Sequence, residues 1–250
     1  MIYLTARSPE RGAEAVNTLN SDPQLKEAKV LSQDGGNTTI KYQALDISKS
    51  KSIQEFSDFL KKEHPDGIDI LINNAGIAMD GFDSNVVKTT LATNYYGTLE
   101  ACQSLLPHIK SRLVNVTSTA GLLNKYSDEI RDAFLSASKT SVPAVTAIME
   151  RFQSAVDAGK EKEAGFPSAA YAISKAGETA YTKVLAMEEA KKRPDVLVNA
   201  CCPGYVNTDM TKGRGRKTPD DGAKTPVMLA LQDIKGTTGE FWKNEEVNEW

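Results

Sequence analysis

Two side chains four residues apart, Tyr171 and Lys175, have the clearest chemical potential in this sequence. They lie in the segment Tyr-Ala-Ile-Ser-Lys, which has a helical pattern, so both fall on one face of a helix. A free tyrosine has a pKa of about 10, and a neighbouring ammonium favours the phenolate and lowers that value. The pair therefore predicts an acid–base centre. Taken alone, the spacing is more typical of an exposed Tyr and Lys on an amphipathic helix.

Three further positions carry polar groups where a site could form. Ser118 follows a strand-like run, where its hydroxyl could donate to an oxygen that gains negative charge, although strand-end serines more often cap a turn. Asn94 interrupts a helical pattern, either as a solvent-facing or kink residue or as the holder of a water linked to Lys175. Asn73-Asn74-Ala75-Gly76 allows close backbone approach beneath a flat cofactor, or forms a plain β-to-α turn.

Short apolar strands alternate with helical segments along the chain. The predicted strands are 2–6, 38–45, 68–72, 113–117, 196–201 and 239–242. The predicted helices are 8–19, 50–62, 84–106, 141–155, 168–190 and 220–231. This alternation predicts an α/β fold: a Rossmann-like, doubly wound parallel sheet with three α/β/α layers, in a single domain over residues 1–250. The polar positions follow strands, so they should converge at the carboxyl edge of the sheet.

The set of motifs, in this order, resembles the short-chain dehydrogenase/reductase family. The matching residues are Asn-Asn-Ala-Gly at 73–76, then Asn94, Ser118, Tyr171-x-x-x-Lys175 and Pro203-Gly204. Other segments are similar to carbonyl reductases within that family, namely Tyr-Leu-Thr-Ala-Arg at 3–7, Ala-Cys-Cys-Pro-Gly at 200–204 and the Thr-Pro-rich stretch 218–226. The resemblance covers essentially all 250 residues.

The resemblance implies NADPH-dependent reduction of aldehydes, ketones or quinones to alcohols. Tyr171 would donate the proton to the substrate oxygen as hydride arrives from the nicotinamide. Lys175 would lower the pKa of Tyr171 and hold the nicotinamide ribose, and Ser118 would polarise the carbonyl. Asn94 would support a water-mediated proton relay.

Cofactor choice depends on the charge near the adenosine ribose. Arg7, with Arg11 one helical turn further on, suits a 2′-phosphate and favours NADPH, although both could be exposed structural arginines. Asp46 and Ile47 resemble residues that flank the adenine. By the same resemblance, the other cofactor-binding residues are Asn73, Ala75, Gly76, Tyr171, Lys175, Pro203, Gly204, Val206 and Thr208.

The family pattern also has a first strand and a glycine-rich turn, which would precede Tyr3 and which this sequence does not contain. Such a turn supplies backbone donors to a pyrophosphate. We therefore expect either a chain that natively starts upstream or a shortened form that has lost cofactor binding. For the 250 residues themselves we expect weak or absent NADPH binding. The missing strand would lie between those at Ile2 and Ile68 and leave two unpaired edges. The alternative function is a non-catalytic binding or regulatory module.

Composition narrows the classes of partner. The net charge is −3 with 25% charged residues, which favours neither nucleic acid nor an acidic membrane surface. No segment is long and apolar enough for a membrane span. Three cysteines without a CxxC favour a reducing compartment, so we expect a cytoplasmic protein. Two histidines are too few for a zinc site, so no metal is expected.

A long segment separates Ser118 from Tyr171. The extra residues, about 127–165, show a helical apolar pattern at Val145, Ile148, Met149, Phe152 and Val156. By the resemblance, this insertion covers the surface with which other family members associate and implies a monomer. An ordinary surface insertion is the alternative.

Overall fold

The computed structural model describes all of residues 1–250 and divides into two compact units, residues 1–65 and 66–250. In the first unit a two-stranded parallel sheet pairs β1 with β2, in register from Ile2 opposite Ile40 to Ala6 opposite Ala44. The elements of this unit are β1 (Ile2–Ala6), α1 (Pro9–Asn20), α2 (Pro23–Glu27), β2 (Ile40–Ala44) and α3 (Ser50–Glu63).

Local sequence explains the helices of the first unit. The Ser8 hydroxyl caps α1 by accepting from the Arg11 amide, and Pro9 occupies the first helical turn, as predicted. Gly12 allows α1 to pack on β2, because a Cβ there would lie 2.1 Å from the Tyr42 ring. The stretch 20–36 was predicted as a loop but contains the short helix α2, which Asp22 caps.

The second unit contains a five-stranded sheet in the order β3-β4-β5-β6-β7, parallel except for β7. Its strands are β3 (Ile68–Asn73), β4 (Ile109–Val116), β5 (Leu197–Cys202), β6 (Phe241–Lys243) and β7 (Glu246–Asn248). Its helices are α4 (Ser84–Thr90), α5 (Thr98–Leu105), α6 (Asp128–Ala137), α7 (Val142–Asp157), α8 (Ala170–Lys192) and α9 (Pro219–Leu231). The parallel α/β fold is as predicted, while β7, α6 and the early start of β4 were not foreseen.

Strand alternation places a hydrophobic core on each face of this sheet. Leu113 and Val198 point into the larger core with α4, α5, α7 and α8. Val114, Val116 and Cys201 point to the other face, against Leu229 of α9 and Trp242. These positions explain why the buried second half of β4 (residues 113–116) and the whole of β5 are mostly apolar, as expected of strands buried on both faces.

The helical stretch 84–106 is not one α-helix. Residues 91–97, between α4 and α5, form a π-helical segment that contains Asn94. A wide turn of this kind rotates the side chains that follow it, and it is often found at functional sites.

β1 and β3 each have one edge that no strand pairs. β1 pairs only with β2 in the first unit, and β3 is the terminal strand of the sheet in the second. These are the two edges that the sequence predicted. No helix of the chain has both the length and the apolar character needed to cross a membrane.

Candidate active site

The helix α8 places Tyr171 and Lys175 at the carboxyl edge of the sheet. Lys175 is only 3% exposed, and its ammonium donates to the Val116 carbonyl at 3.0 Å and to Glu178 Oε2 at 2.6 Å. The strand β4 and the helix α8 therefore hold the lysine together. Its burial excludes the alternative of an exposed Tyr–Lys pair on an amphipathic helix.

Tyr171 is half-buried beside that ammonium, with Lys175 Nζ 5.9 Å from the centroid of its ring. Burial raises the pKa of Tyr171 above its ordinary value, while the Lys175 charge and a hydrogen bond with Ser118 lower it and offset part of that effect. The predicted influence of Lys175 on the pKa has the right sign but is smaller than that of burial. The phenol is accordingly protonated at neutral pH.

Ser118 has two roles in the structure. Its hydroxyl oxygen accepts from the Ala120 amide at 3.1 Å and so caps the 3-10 turn over residues 119–121. The same side chain lies close enough to the Tyr171 phenol to lower its pKa. The capping interpretation and the functional one, which the sequence left as alternatives, therefore hold together.

Asn94 is fully buried and braces the turn that follows β3. Its carboxamide oxygen accepts from the Ile77 amide at 2.8 Å, and its nitrogen donates to the Ile77 carbonyl at 2.8 Å and to Ser174 Oγ at 3.1 Å. The solvent-facing alternative is wrong. The side chain instead joins the π-helical segment to α8 one residue before Lys175.

The Asn-Asn-Ala-Gly turn lies directly against these groups. A Cβ on Gly76 would come 3.3 Å from Asn94 Oδ1 and 3.6 Å from Lys175 Nζ, so a side chain there would fill the space beside the ammonium. Asn73, at the end of β3, donates to Asn115 Oδ1 at 2.8 Å and ties β3 to β4. Ala75 is exposed at the surface of this turn.

The loop after β5 completes this edge of the second unit. Cys202 is buried and donates to Thr119 Oγ1 at 3.7 Å, and Gly204 follows Pro203 with a left-handed φ of 90°. Val206 forms a bridge with Lys217, and Thr208 caps the turn at 209–211. The loop reaches the segment after β3 through an ion pair of 2.7 Å between Lys212 and Asp80.

In the first unit, the residues predicted to hold the adenosine end of a cofactor lie at one edge. Arg7 and Asp46 follow the carboxyl ends of the paired strands β1 and β2, and the Leu45 amide donates to the Ala6 carbonyl at 3.1 Å. Arg7 and Arg11 are exposed and form no ion pair within the chain. Hydrogen bonds from Ser48 lower the pKa of Asp46, so its carboxylate is charged, and Ile47 beside it is half-buried.

Glu178 belongs to the site but was not among the residues predicted from the sequence. This residue is completely buried three positions after Lys175 and forms an ion pair with it. The available signal was an acid at i+3 from a lysine on a helix, a spacing that brings the two side chains together.

A cavity of about 830 Å³ lies elsewhere in the second unit. Its lining includes Leu135, Met187 and Trp250, and none of Asn94, Ser118, Tyr171 or Lys175. The convergence of titratable and hydrogen-bonding groups therefore identifies the candidate active site better than cavity size does.

Comparison with known proteins identifies the family of this chain. Residues 4–157 and 153–219 match the model of the short chain dehydrogenase family. The chain is similar to carbonyl reductase (NADPH) 1 of Homo sapiens, with 37% identity over 261 residues that cover 100% of this chain and 88% of the relative. It has the same identity, over 262 residues, to carbonyl reductase (NADPH) 3 of Rattus norvegicus, again with 100% and 88% coverage.

Solved structures show the same fold. Salutaridine reductase from Papaver somniferum superimposes with a TM-score of 0.80 at 26% identity, over 97% of this chain and 90% of that one. An NADPH-bound carbonyl reductase from chicken fatty liver superimposes with a TM-score of 0.63 at 20% identity, over 99% of this chain and 87% of that one.

Proposed function

The chain belongs to the short chain dehydrogenase family, and from that premise we propose that it reduces the carbonyl group of small molecules to an alcohol with NADPH. Aldehydes, ketones and quinones are the proposed substrates. The observation that carries this proposal is the convergence of the Ser118 hydroxyl, the Tyr171 phenol and the buried Lys175 ammonium at one strand edge. The relatives named above, two of them carbonyl reductases (NADPH), support it.

The residues of this site suit the proton transfer that carbonyl reduction needs. NADPH supplies a hydride when bound. Tyr171 is neutral at physiological pH because burial raises its pKa, so its phenol can donate a proton to the carbonyl oxygen as negative charge develops there. Ser118 donates a hydrogen bond to the same oxygen and polarises it. Lys175, held charged, stabilises the phenolate that remains.

The proton that Tyr171 loses must be replaced. We assign Asn94 to hold a water that links Lys175 to solvent, and two observations support this. Asn94 Oδ1 and Lys175 Nζ both lie close to the open position beside Gly76. The bonds of Asn94 to Ile77 fix its carboxamide without using all of its hydrogen-bonding capacity.

The residues of each unit, taken separately, fit a part of NADPH. In the first unit, exposed and unpaired guanidinium groups at Arg7 and Arg11 suit a 2′-phosphate, which prefers planar, multidentate donors. In the second unit, Gly76 has no side chain beside Lys175, so a ribose or a nicotinamide could approach its backbone closely. The remaining assigned contacts are Asp46, Ile47, Asn73, Ala75, Pro203, Gly204, Val206 and Thr208.

A non-catalytic binding module explains the site less well. Burying a lysine ammonium costs free energy unless the ammonium has hydrogen-bonding or charged partners. Here the partners of the buried Lys175 hold its charge beside the Tyr171 phenol. A surface used only for binding has no need of that arrangement. We also propose a single domain, a monomeric state and a cytoplasmic location; the three free, buried cysteines support a reducing compartment.

Tyr171→Phe tests the proposed function. The variant is compared with its parent in a chain extended ahead of Tyr3 by the first strand and glycine-rich turn of the family pattern. With the phenol gone, kcat for reduction of an aromatic ketone or a quinone should fall by about 10²–10⁴-fold, while NADPH affinity stays within about threefold. Turnover is followed as NADPH oxidation, with NADH as the comparison cofactor, and binding is followed by nicotinamide fluorescence.

Tyr126→Phe is the matched control for this test. Tyr126 is buried and its hydroxyl has no hydrogen-bond partner, so removing it deletes the same atom without touching the site. Its kcat should remain at the wild-type level. Full turnover in the Tyr171 variant would overturn the assignment of the proton donor.

A further inference from the structure

Glu178 is a buried carboxylate that the proposed chemistry does not require. It is 0% exposed in the middle of α8, and its Oε2 accepts from the Lys175 ammonium at 2.6 Å. Its second oxygen, Oε1, is buried and has no hydrogen-bond partner. The only positive charge that the carboxylate contacts is therefore the lysine of the active site.

Stability does not explain this carboxylate. Moving two charges out of water costs roughly several kcal/mol per ion. A buried ion pair therefore often contributes less to stability than apolar residues of the same size. An oxygen without a partner adds to that cost. Apart from Lys175, the buried residues near Glu178 on α8 are uncharged, both apolar ones such as Ile173 and Ala180 and hydroxyl-bearing ones such as Thr179.

Lys175 is the only charged group that faces Glu178. The other titratable groups that interact with its charge are Tyr171 and Tyr181 of α8, Cys102 of α5 and Cys201 of β5. Burial raises the pKa of each of them, so all four are neutral at physiological pH. The field of the carboxylate thus acts on Lys175 and, through space, on the Tyr171 phenol.

We propose that Glu178 is a positioning residue for the active site: it pins the Lys175 ammonium against the end of β4 and offsets part of that ammonium's charge where it acts on Tyr171. This proposal rests on the proposed function. The geometry behind it is the pair of bonds from Lys175, one to the Val116 carbonyl and one to Glu178, which leave the ammonium a single remaining hydrogen for the site.

The direction of the effect on Tyr171 follows from the charges. Lys175 favours the phenolate and lowers the pKa of Tyr171, whereas Glu178 disfavours the phenolate and raises it. Burial on its own would lower the pKa of Lys175, but Glu178 more than reverses this and keeps the lysine charged. Glu178 therefore keeps Tyr171 protonated, as a proton donor, up to a higher pH than Lys175 alone would allow.

Glu178→Gln tests this, because it keeps the shape of the side chain and removes its charge. The alkaline limb of the pH profile of kcat for carbonyl reduction should move to lower pH by at least about 0.5 pH units. Glu178→Asp, which restores a carboxylate, should return the limb most of the way. Glu189→Gln is the matched control, since Glu189 is also buried on α8 but pairs with Arg193, near the opposite end of the helix.

A second measurement needs no turnover. Burial raises the pKa of Glu178 to about 7, above its ordinary value, so the folded protein binds this proton more tightly than the unfolded chain. The stability that this contributes is present below the unfolded pKa and is lost as pH rises to about 7. The Tm of the wild type relative to Glu178→Gln should therefore decrease between pH 5 and 8.

The two measurements separate failure of the proposal from failure of the proposed function. A folded Glu178→Gln protein with an unmoved alkaline limb would overturn the proposal. If the wild type shows no carbonyl reduction, the proposed function is wrong, and the Tm series still decides whether Glu178 is a buried carboxyl with a raised pKa. A Tm difference that does not change with pH would then contradict the burial of Glu178 on which the proposal rests.

Discussion

Asn94 shows how one side chain can serve both fold and site. Its carboxamide bonds to both the amide and the carbonyl of Ile77, as a neighbouring strand would. It thereby anchors the turn after β3 and also reaches Ser174, next to Lys175. A buried polar side chain with satisfied hydrogen bonds is conformationally rigid, which is what a water-holding group requires.

Asn94→Ala should separate these contributions. Losing the carboxamide leaves the Ile77 amide and carbonyl without partners and should destabilise the fold by about 1–3 kcal/mol. If Asn94 holds the relay water, kcat should also fall by at least about tenfold at a temperature where the variant is folded. Chemical denaturation and steady-state kinetics give the two quantities.

Asn199→Ala is the control for that variant. Asn199 is another buried asparagine, which donates to the Thr237 carbonyl and accepts from the Glu240 amide, away from the active site. It should lose comparable stability and keep its kcat. Equal kcat values for the two variants would show that Asn94 is structural only.

At the scale of elements, the site depends on a close contact between α8 and the turn after β4. A Cβ on Gly121 would lie 2.5 Å from the Ala176 amide nitrogen and 2.7 Å from the Lys175 carbonyl carbon. Both are backbone atoms, so no flexible side chain can move aside. This contact sets the distance between Ser118, which begins the turn, and Tyr171 on the helix.

Gly121→Ala should therefore push the turn away from α8. We expect a loss of stability of about 1–3 kcal/mol, as for other overpacked cores, together with a lower kcat because Ser118 moves away from Tyr171. Ala120→Ser adds one heavy atom at the neighbouring, half-buried position and should change both quantities much less. A Gly121 variant with wild-type stability and kcat would show that the turn has room to shift.

The insertion over residues 127–165 also helps to hold α8 in place. α7 packs on α8 and α4, and the predicted apolar stripe is buried along its whole length. Gly177 of α8 is where this packing is closest, since a Cβ there would lie 2.7 Å from Met149 Sδ and 2.8 Å from the Tyr95 ring. The insertion therefore supports the helix that carries Tyr171 and Lys175.

At the scale of the whole molecule, the packing of α7 bears on assembly. Because α7 covers α8 and α4 within the same chain, that apolar surface is no longer available to a second copy. We expect light scattering after gel filtration to give the mass of one 250-residue chain over a roughly 100-fold range of protein concentration. A dimer that persists on dilution would contradict the proposed monomer.

Local patterns were sufficient for much of this protein. Period-2 and period-3.6 alternation located most strands and helices to within a few residues, because those periods report which face of each element is buried. Ser118 was identified as a candidate because it follows a strand, and Tyr171 and Lys175 because they lie four residues apart on a helix. Their roles in catalysis remain predictions for the experiments above.

Only the tertiary structure decided how those groups are charged and held. Lys175 bonds to the Val116 carbonyl, 59 positions away, and burial outweighs the lysine's charge in setting the pKa of Tyr171. The π-helical segment around Asn94 and the buried charge of Glu178 likewise depend on what packs against them. A sequence specifies the types and local spacing of side chains, whereas desolvation and long-range contacts arise only when distant segments come together.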